Sequence, residues 1–405
     1  MSQDLLQQYQ NTPRLFQLAE RISLPTTVSE PGSPSQKIYL KNLYGSSSQF
    51  VAGAAFLHPS CSQLNHIIIL NDAEEAAYFH NTLENLTGAL DIFYFPDSFK
   101  NRKNYRLLNS SHVMLRTEAL TKIAAGGNKK ILVTYPEALF EKCVLPSALS
   151  SNIIHIKSGD TLNVEQLLLR LSGYGFERTD FVYEPGQSLF AAAYWIFNSF
   201  GNDKPYRIEL FGNDIDSIRI VDPETQLSER KLLQVSIIPM VDTQFDDEDK
   251  VSLFDFLPAN TVVWLQDYDV CKERLMDCED DMHAFLRLQE ELREQGIKVQ
   301  GARHKMQNAE DDDKLVKKDV RAVDFITAAD LEEKIFLRHV IAFGYNTVFP
   351  SQDSIFTIDF STKEQPAFNR QFDLLIKDLK TWEAKGFQLY LFAENPSNWR
   401  GCRRF

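Results

Sequence analysis

The sequence has few cysteines and no long apolar run. Its 405 residues contain five scattered cysteines and no CxxC pair. This pattern favours reduced thiols in a cytoplasmic protein over a disulfide framework or a zinc site. No apolar run approaches the ~20 residues that a membrane helix needs, and the polar start, Met-Ser-Gln-Asp, lacks the apolar core of a signal peptide. We therefore expect a cytoplasmic protein that does not bind membranes.

Positive charge is also scarce. The chain has 43 Lys and Arg against 56 Asp and Glu, a net charge of −13. Because phosphate binding depends on an excess of Lys and Arg, we expect no strong attraction of the whole chain to nucleic acid. Local basic patches remain possible.

Catalytic signatures are missing as well. The turn Gly45-Ser-Ser-Ser lies where a P-loop would, but Phe50-Val-Ala52 stands where the Lys-Ser/Thr of a working P-loop would fall. The eight histidines show no metal-ligand spacing. We expect no catalytic residue, no cofactor and no metal ion, although paired-acid catalysis by two of the many carboxylates stays open.

The first part of the chain shows a pattern of apolar strands that alternate with helices. Strands are predicted at His66–Leu70, Leu90–Phe95 and Lys130–Thr134, and Asp72 is predicted to cap a helix over 73–86. A further helix over 4–22 is interrupted near Pro13. This alternation is typical of an α/β layer with a parallel sheet.

Near residue 150 the pattern changes to that of a small α+β domain. A helix at Val164–Leu171 lies between strands at Ile153–Lys157 and Thr179–Glu184. The α/β pattern then resumes with a strand at 261–265 and a long helix at 269–295, and a helix at 372–384 precedes a strand at Gly386–Phe392. The length suggests two to four domains.

The stretch Pro205–Thr225 is typical of a β-hairpin that turns at Gly212-Asn-Asp. Alternation places Arg207, Glu209 and Phe211 on one exposed face of its first strand. Arginine and aromatic residues commonly anchor protein interfaces, so this face is a candidate docking surface. The alternative is an ordinary amphipathic hairpin with a cross-strand salt bridge.

Four motifs around this hairpin carry a family resemblance. Glu184–Gln187, Pro205–Phe211, Asp216–Arg219 and Asp222–Gln226 resemble the N-terminal module of the bacterial transcription-repair coupling factors (Mfd), which is itself similar to UvrB. The resemblance extends over roughly residues 1–395, and the Tyr44-Gly-Ser-Ser turn is similar to the degenerate P-loop of that module.

The resemblance implies a RecA-like architecture without nucleotide binding. Domain 1a would cover residues 1–150, an inserted α+β domain 2 residues 151–238, domain 1b residues 239–345, and the start of a domain 3 residues 346–405. It also implies a short connection near 95–104, where UvrB has a long DNA-clamping hairpin.

The resemblance further implies a partner. Domain 2 of the family docks UvrA, and Arg207, Glu209, Phe211 and Arg219 match or adjoin that docking surface. In the family, RNA polymerase and double-stranded DNA are bound through regions that this chain lacks. The ATP-driven translocase is also one of these missing regions. The chain is therefore expected to act as a non-catalytic adaptor.

The sequence departs from the family in two places. Ala191 and Ala192, within the predicted strand Ser188–Phe197, stand where an Arg-Gly pair is expected, and 398–405 does not continue the family pattern, which suggests truncation. Two other functions stay open: a nucleotide-dependent DNA enzyme with a divergent Gly45 site, and an autoinhibitory module of a longer translocase.

Overall fold

The computed structural model describes residues 2–24, 35–89, 91–101, 104–191, 193–200, 204–239, 250–294, 320–345, 349, 355–368 and 371–390. Its helices and strands are numbered here in chain order. The α-helices are α1 Ser2–Gln10, α2 Pro13–Ile22, α3 Ser47–Leu57, α4 Ala73–Thr87, α5 Ser110–Ala124, α6 Pro136–Phe140, α7 Pro146–Asn152, α8 Val164–Gly173, α9 Leu253–Phe256, α10 Tyr268–Glu294, α11 Ala328–Phe336 and α12 Phe372–Ala384. The strands are β1 Lys37–Lys41, β2 Asn65–Ile69, β3 Ile92–Tyr94, β4 Phe99–Asn101, β5 Asn104–Leu108, β6 Ile131–Thr134, β7 Cys143–Val144, β8 Ile154–Lys157, β9 Glu177–Arg178, β10 Gln187–Phe190, β11 Tyr194–Phe197, β12 Tyr206–Phe211, β13 Asp214–Val221, β14 Ser228–Leu232, β15 Gln234–Ile237, β16 Lys250–Val251, β17 Thr261–Gln266, β18 Val340–Phe343 and β19 Ile355–Asp359.

The largest element of the fold is a sheet of seven strands in the order β19-β1-β18-β17-β2-β6-β3. All neighbouring strands in it are parallel. Strands β2, β6 and β18 are buried along their whole length, as is usual for parallel sheets covered on both faces. The predicted α/β fold with a parallel sheet is confirmed.

Two separate stretches of chain build this large sheet. Strands β1, β2, β3 and β6 come before residue 135, whereas β17, β18 and β19 come after residue 260, and β17 lies between β2 and β18. The residues between form a second, six-stranded sheet in the order β14-β13-β12-β11-β10-β9. The predicted insertion of a small α+β domain into the α/β domain is confirmed.

The chain enters and leaves the small domain through one pair of strands. Strands β8 and β15 are antiparallel, with Ile154 opposite Ile237 and Lys157 opposite Gln234. Helix α8 follows β8, and its Leu167 and Leu171 are buried in one cluster with Trp195, Phe197 and Ile208 of the small sheet.

Local signals place the helix starts where the sequence predicts them. The Asp72 carboxylate accepts the Glu75 N–H at 2.9 Å and caps α4. The interruption near Pro13 is also confirmed: Thr12 caps α2, and Pro13 occupies its first turn, where its missing N–H would have no partner anyway.

Three predicted strands are wrong. Residues Thr179–Glu184 form no strand although burial alternates at Phe181-Val182-Tyr183, because the chain turns locally and the Thr179 hydroxyl donates to the Phe181 carbonyl at 2.7 Å. Segment Ser188–Phe197 is not one strand but the hairpin β10–β11. Residues 386–390 make no strand either, because Gly386 at φ +82° ends α12 and the residues that follow are mostly exposed.

The chain folds into two compact units, Met1–Thr362 and Lys363–Phe405. In the second unit the predicted helix over 372–384 is confirmed as α12. The finer boundaries at 150, 238 and 345 stay predictions, and segment 398–405 lies outside the described residues. Within the described ranges, no helix combines the length and apolar character that crossing a bilayer requires.

Candidate docking surface

The six-stranded sheet has an inner and an outer face. Trp195 lies opposite Ile208, and Ile208 opposite Ile218, and these inner-face side chains are buried. The residues that alternate with them point the other way. We call the side of the sheet that carries Arg207, Glu209, Phe211 and Arg219 the outer face.

The β12–β13 hairpin presents Phe211 at its tip. Gly212 has φ +63°, a conformation that glycine adopts without strain, and Phe211 pairs with Asp214 across the turn. The pairing register shifts at Glu209/Leu210, yet Leu210 stays buried and Phe211 is 84% exposed. The tip of the outer face is therefore a bare aromatic ring.

Glu209 and Arg219 form an ion pair in the middle of the outer face. The Arg219 Nε lies 3.6 Å from Glu209 Oε2 and donates to the Ser217 hydroxyl at 3.3 Å, and that hydroxyl donates to Glu209. Both charged side chains are more than one third exposed, so the pair contributes about 1 kcal/mol or less to stability. A partner can compete for these charges at little cost to the fold.

Arg207 is held in place by groups that the sequence analysis did not single out. Its Nη2 donates to the Gln226 carbonyl at 3.1 Å, and its guanidinium lies 5.4 Å from the centre of the Tyr194 ring. Its Nε is buried and has no hydrogen-bond partner among the described residues. Arg207 lies directly opposite Arg219 in the sheet register, so the four predicted residues share one face.

Two loops cover the Arg207 end of the outer face. Val182, Ile196 and Val221 are fully or nearly buried but lie outside the main core cluster, and Ile196 is opposite Arg207 in the register. The Gln226 side chain donates to the Val182 carbonyl at 3.1 Å. This bond ties the loop over 179–186 to the turn over 222–227.

Ala191 lies in the connection between β10 and β11. Its N–H donates to the Tyr194 carbonyl at 2.9 Å, and its side chain is half-buried. Ala192, the other departure from the family pattern, lies outside the described residues. Ala191 thus sits close in the chain to the strand whose Tyr194 ring lies near Arg207.

The second candidate site is the Gly45 turn, at the carboxyl edge of the large sheet. Gly45 has φ +55°, and the Ser47 hydroxyl donates back to the Tyr44 carbonyl at 2.7 Å. Phe50 and Val51 are buried in the core, as are most other side chains of α3. The helix therefore begins with hydroxyls that bond locally and continues into apolar side chains.

A buried carboxylate at the same edge was missed by the sequence analysis. Asp267 follows β17 with φ +40° and accepts the Tyr345 N–H at 2.6 Å and the Asn71 side-chain amide at 3.3 Å. A Cβ on Gly344 would lie 2.3 Å from its Oδ1. No acidic pair marks Asp267 in the sequence, because Gln266 precedes it and Tyr268 follows it.

Near residue 100 the structure has a short hairpin in place of a simple connection. Strand β4 pairs with β5, and Phe99 and Tyr105 contact each other edge to face with their ring centres 5.1 Å apart. Tyr105 also packs on Phe325. These aromatic contacts fix the hairpin against the rest of the domain.

Metal-binding groups are not clustered in the part of the chain that the structure describes: no three His, Cys, Asp or Glu side chains there are arranged to hold an ion. Cys61, Cys143, Cys271 and Cys278 are buried thiols. Burial raises the pKa of Cys61 and of Cys271 to about 12, which makes both poor nucleophiles at neutral pH.

Comparison with known proteins identifies the small domain. Residues 154–242 match the family model of the UvrB interaction domain. Transcription-repair-coupling factors align with the chain at 24% identity over 182 residues in Haemophilus influenzae, at 28% over 184 residues in Staphylococcus aureus, and at 27% over 188 residues in Staphylococcus haemolyticus. These alignments cover 45–46% of the chain but only 15–16% of each relative. The chain thus resembles one part of a much longer kind of protein.

Proposed function

Because residues 154–242 match the UvrB interaction domain within a chain similar to transcription-repair coupling factors, we propose that this protein is a non-catalytic adaptor that recruits UvrA. The outer face of the small sheet is the contact surface. The adaptor works in the cytoplasm, and in longer family members other regions bind stalled RNA polymerase and double-stranded DNA.

The observation that carries this proposal is the combination of a bare Phe211 and a fixed Arg207 on one sheet face. Phe211 offers its ring to a partner. Arg207 is held by the Gln226 carbonyl and Tyr194, so little side-chain entropy is lost when it binds. Aromatic and arginine side chains of this kind supply most of the binding energy of protein interfaces.

The non-catalytic part of the proposal is supported at the carboxyl edge of the large sheet. The Gly45 turn is followed by Phe50 and Val51 and not by the lysine that binds β- and γ-phosphates. Asp267, the buried carboxylate at that edge, already accepts hydrogen bonds from Tyr345 and Asn71. Its oxygens are engaged with the chain itself.

The proposal is tested by titrating UvrA against the wild type, Arg207→Ala and Phe211→Ala. We expect each variant to weaken binding by about tenfold or more, the usual effect of truncating an interface anchor. Arg207→Lys keeps the positive charge but loses the planar guanidinium with its paired donors. We therefore expect its affinity for UvrA to lie between those of Arg207→Ala and the wild type.

Leu169→Ala is the matched control, because Leu169 is an exposed apolar residue of α8, the helix whose buried side chains belong to the same cluster as the inner face of the sheet. Equal binding by all variants, or no binding by the wild type, would refute the proposal. Binding of labelled ATP, or phosphate release stimulated by DNA, would instead favour the nucleotide-dependent alternative.

A further inference from the structure

We infer that the partner-binding surface continues past Arg207 onto an aromatic edge, which consists of Phe181, Tyr183 and Leu227. This inference rests on the proposed function. The occupant is UvrA, which would cover the edge with an apolar patch flanked by basic side chains.

The first observation is the exposure of these three side chains. Phe181 is 60% exposed, Tyr183 53% and Leu227 68%. The rings of Phe181 and Tyr183 lie 6.3 Å apart between centres. Single exposed apolar residues are common on proteins, but a cluster that includes two aromatic rings is characteristic of interaction sites.

The second observation is that the aromatic edge is ordered by its own polar contacts. The Gln187 side-chain oxygen accepts the N–H groups of Tyr183 and Glu184 at 2.8 and 2.9 Å. Asn198 donates to the Tyr183 carbonyl at 3.3 Å, and Val182 is fully buried between the two exposed rings. A backbone segment that is already fixed loses little entropy on binding, which favours affinity.

The third observation is continuity with the outer face. Gln226 binds Arg207 through its backbone carbonyl and Val182 through its side chain. Arg207 therefore lies between the aromatic edge on one side and Phe211 on the other. Arg207 and Phe211 are four positions apart in the strand, about 13 Å at the usual rise, so one partner surface of ordinary size spans all of these groups.

The charges around the aromatic edge specify the rim of the partner. Asp180, Glu184 and Glu224 are exposed beside it, whereas the outer face carries Arg207 and Arg219. Interfaces pair opposite potentials. UvrA should accordingly present basic side chains around the aromatic edge.

The test uses the full chain and purified UvrA, with Phe181→Ala, Tyr183→Ala and Leu169→Ala measured in parallel. We expect the two aromatic variants to weaken binding about tenfold each and the Leu169 variant to leave it within about twofold. Glu224→Lys should slow association several-fold at low salt, because it reverses a rim charge. Amide hydrogen exchange across 179–186 should also slow when UvrA is bound.

The outcomes separate the two proposals. If Phe211→Ala weakens binding but Phe181→Ala and Tyr183→Ala do not, the aromatic edge is not part of the interface and only this inference fails. If the wild type does not bind UvrA, both proposals fail. Thermal unfolding of each variant identifies any loss that arises from misfolding, and Tyr183→Phe, which keeps the ring, should retain binding where Tyr183→Ala does not.

Discussion

The outer face of the small sheet and the carboxyl edge of the large sheet contain similar chemical groups, but these groups are accessible on the outer face and buried at the carboxyl edge. Each region has a glycine turn, a carboxylate and neighbouring aromatic rings. At the carboxyl edge, Asp267 is buried and accepts two hydrogen bonds from the chain. On the outer face, Glu209 and Arg219 are both more than one third exposed and pair with each other.

This difference shows which region is available to a ligand. A buried carboxylate that is already satisfied stabilises its surroundings and offers little to another molecule. An exposed pair worth about 1 kcal/mol or less can exchange its partner at small cost. Chemistry of the same type therefore supports the fold at the carboxyl edge, whereas on the outer face it is accessible to the partner that we propose.

Gly344→Ala is the strongest test of whether the carboxyl edge of the large sheet is tightly packed around Asp267. The new Cβ would meet the Asp267 carboxylate at 2.3 Å, and the φ of +114° disfavours any side chain. We expect a loss of about 3 kcal/mol or more in the free energy of unfolding, measured by urea denaturation.

Gly45→Ala is the control for Gly344→Ala, because Gly45 has φ +55° but no atom within 4 Å of the added Cβ. It should cost about 1 kcal/mol. Neither variant should change UvrA affinity under conditions where the protein is folded. An equal loss in the free energy of unfolding for the two variants would mean that Asp267 moves aside easily and that the carboxyl edge of the large sheet is not tightly packed.

Acid should weaken the large sheet. His66 in β2 is buried, its Nδ1 accepts the Trp264 indole N–H at 3.0 Å, and burial lowers its pKa from 6.5 to about 4. The unfolded chain therefore binds a proton more readily than the folded one between pH 6.5 and 4. Stability should fall by up to about 3 kcal/mol as the pH drops through that range.

The measurement is urea denaturation at pH 7 and pH 4.5, with His66→Gln as the comparison. The variant should show a shallower pH dependence. Burial also lowers the pKa of His339, so part of the slope remains. The small domain has a single histidine between residues 151 and 238, the exposed His155. An unchanged slope in His66→Gln would assign the acid sensitivity to other groups.

The smallest expected effect is a gain of binding in Ala191→Arg. An arginine beside Tyr194, whose ring lies 5.4 Å from the Arg207 guanidinium, would add a bidentate donor at the position where the related family is expected to carry one. We expect UvrA affinity to rise about tenfold. Ala193→Arg adds the same charge to an exposed position of the same connection and should have less effect; equal gains would indicate long-range attraction and no specific contact.

Much of the fold follows from local sequence signals. Buried strands such as β2 and β6 each contain three consecutive apolar residues, Ile67–Ile69 and Ile131–Val133, and Asp72 caps its helix by a contact within four residues. The exposure of Phe211 follows from alternation alone. Such signals depend on neighbours in the sequence, and the sequence therefore contains them directly.

The missed features depend on contacts between distant residues. The alternation Phe181-Val182-Tyr183 looks like a strand, but here the single apolar residue between the rings is buried under a loop that Gln226 ties down. Asp267 becomes important only because Gly344 and Tyr345 approach it from another strand end. No spacing rule brings these residues together.

The pairing of β8 with β15 has a consequence for how such a protein can change. Because Ile154 lies opposite Ile237, the two ends of the inserted domain are about 5 Å apart. Closely spaced ends allow a whole domain to be inserted, removed or exchanged without rearranging its host. We therefore expect the inserted domain to be portable: grafting residues 154–237 onto an unrelated scaffold across two adjacent strands should transfer the proposed UvrA binding without any change to the large sheet.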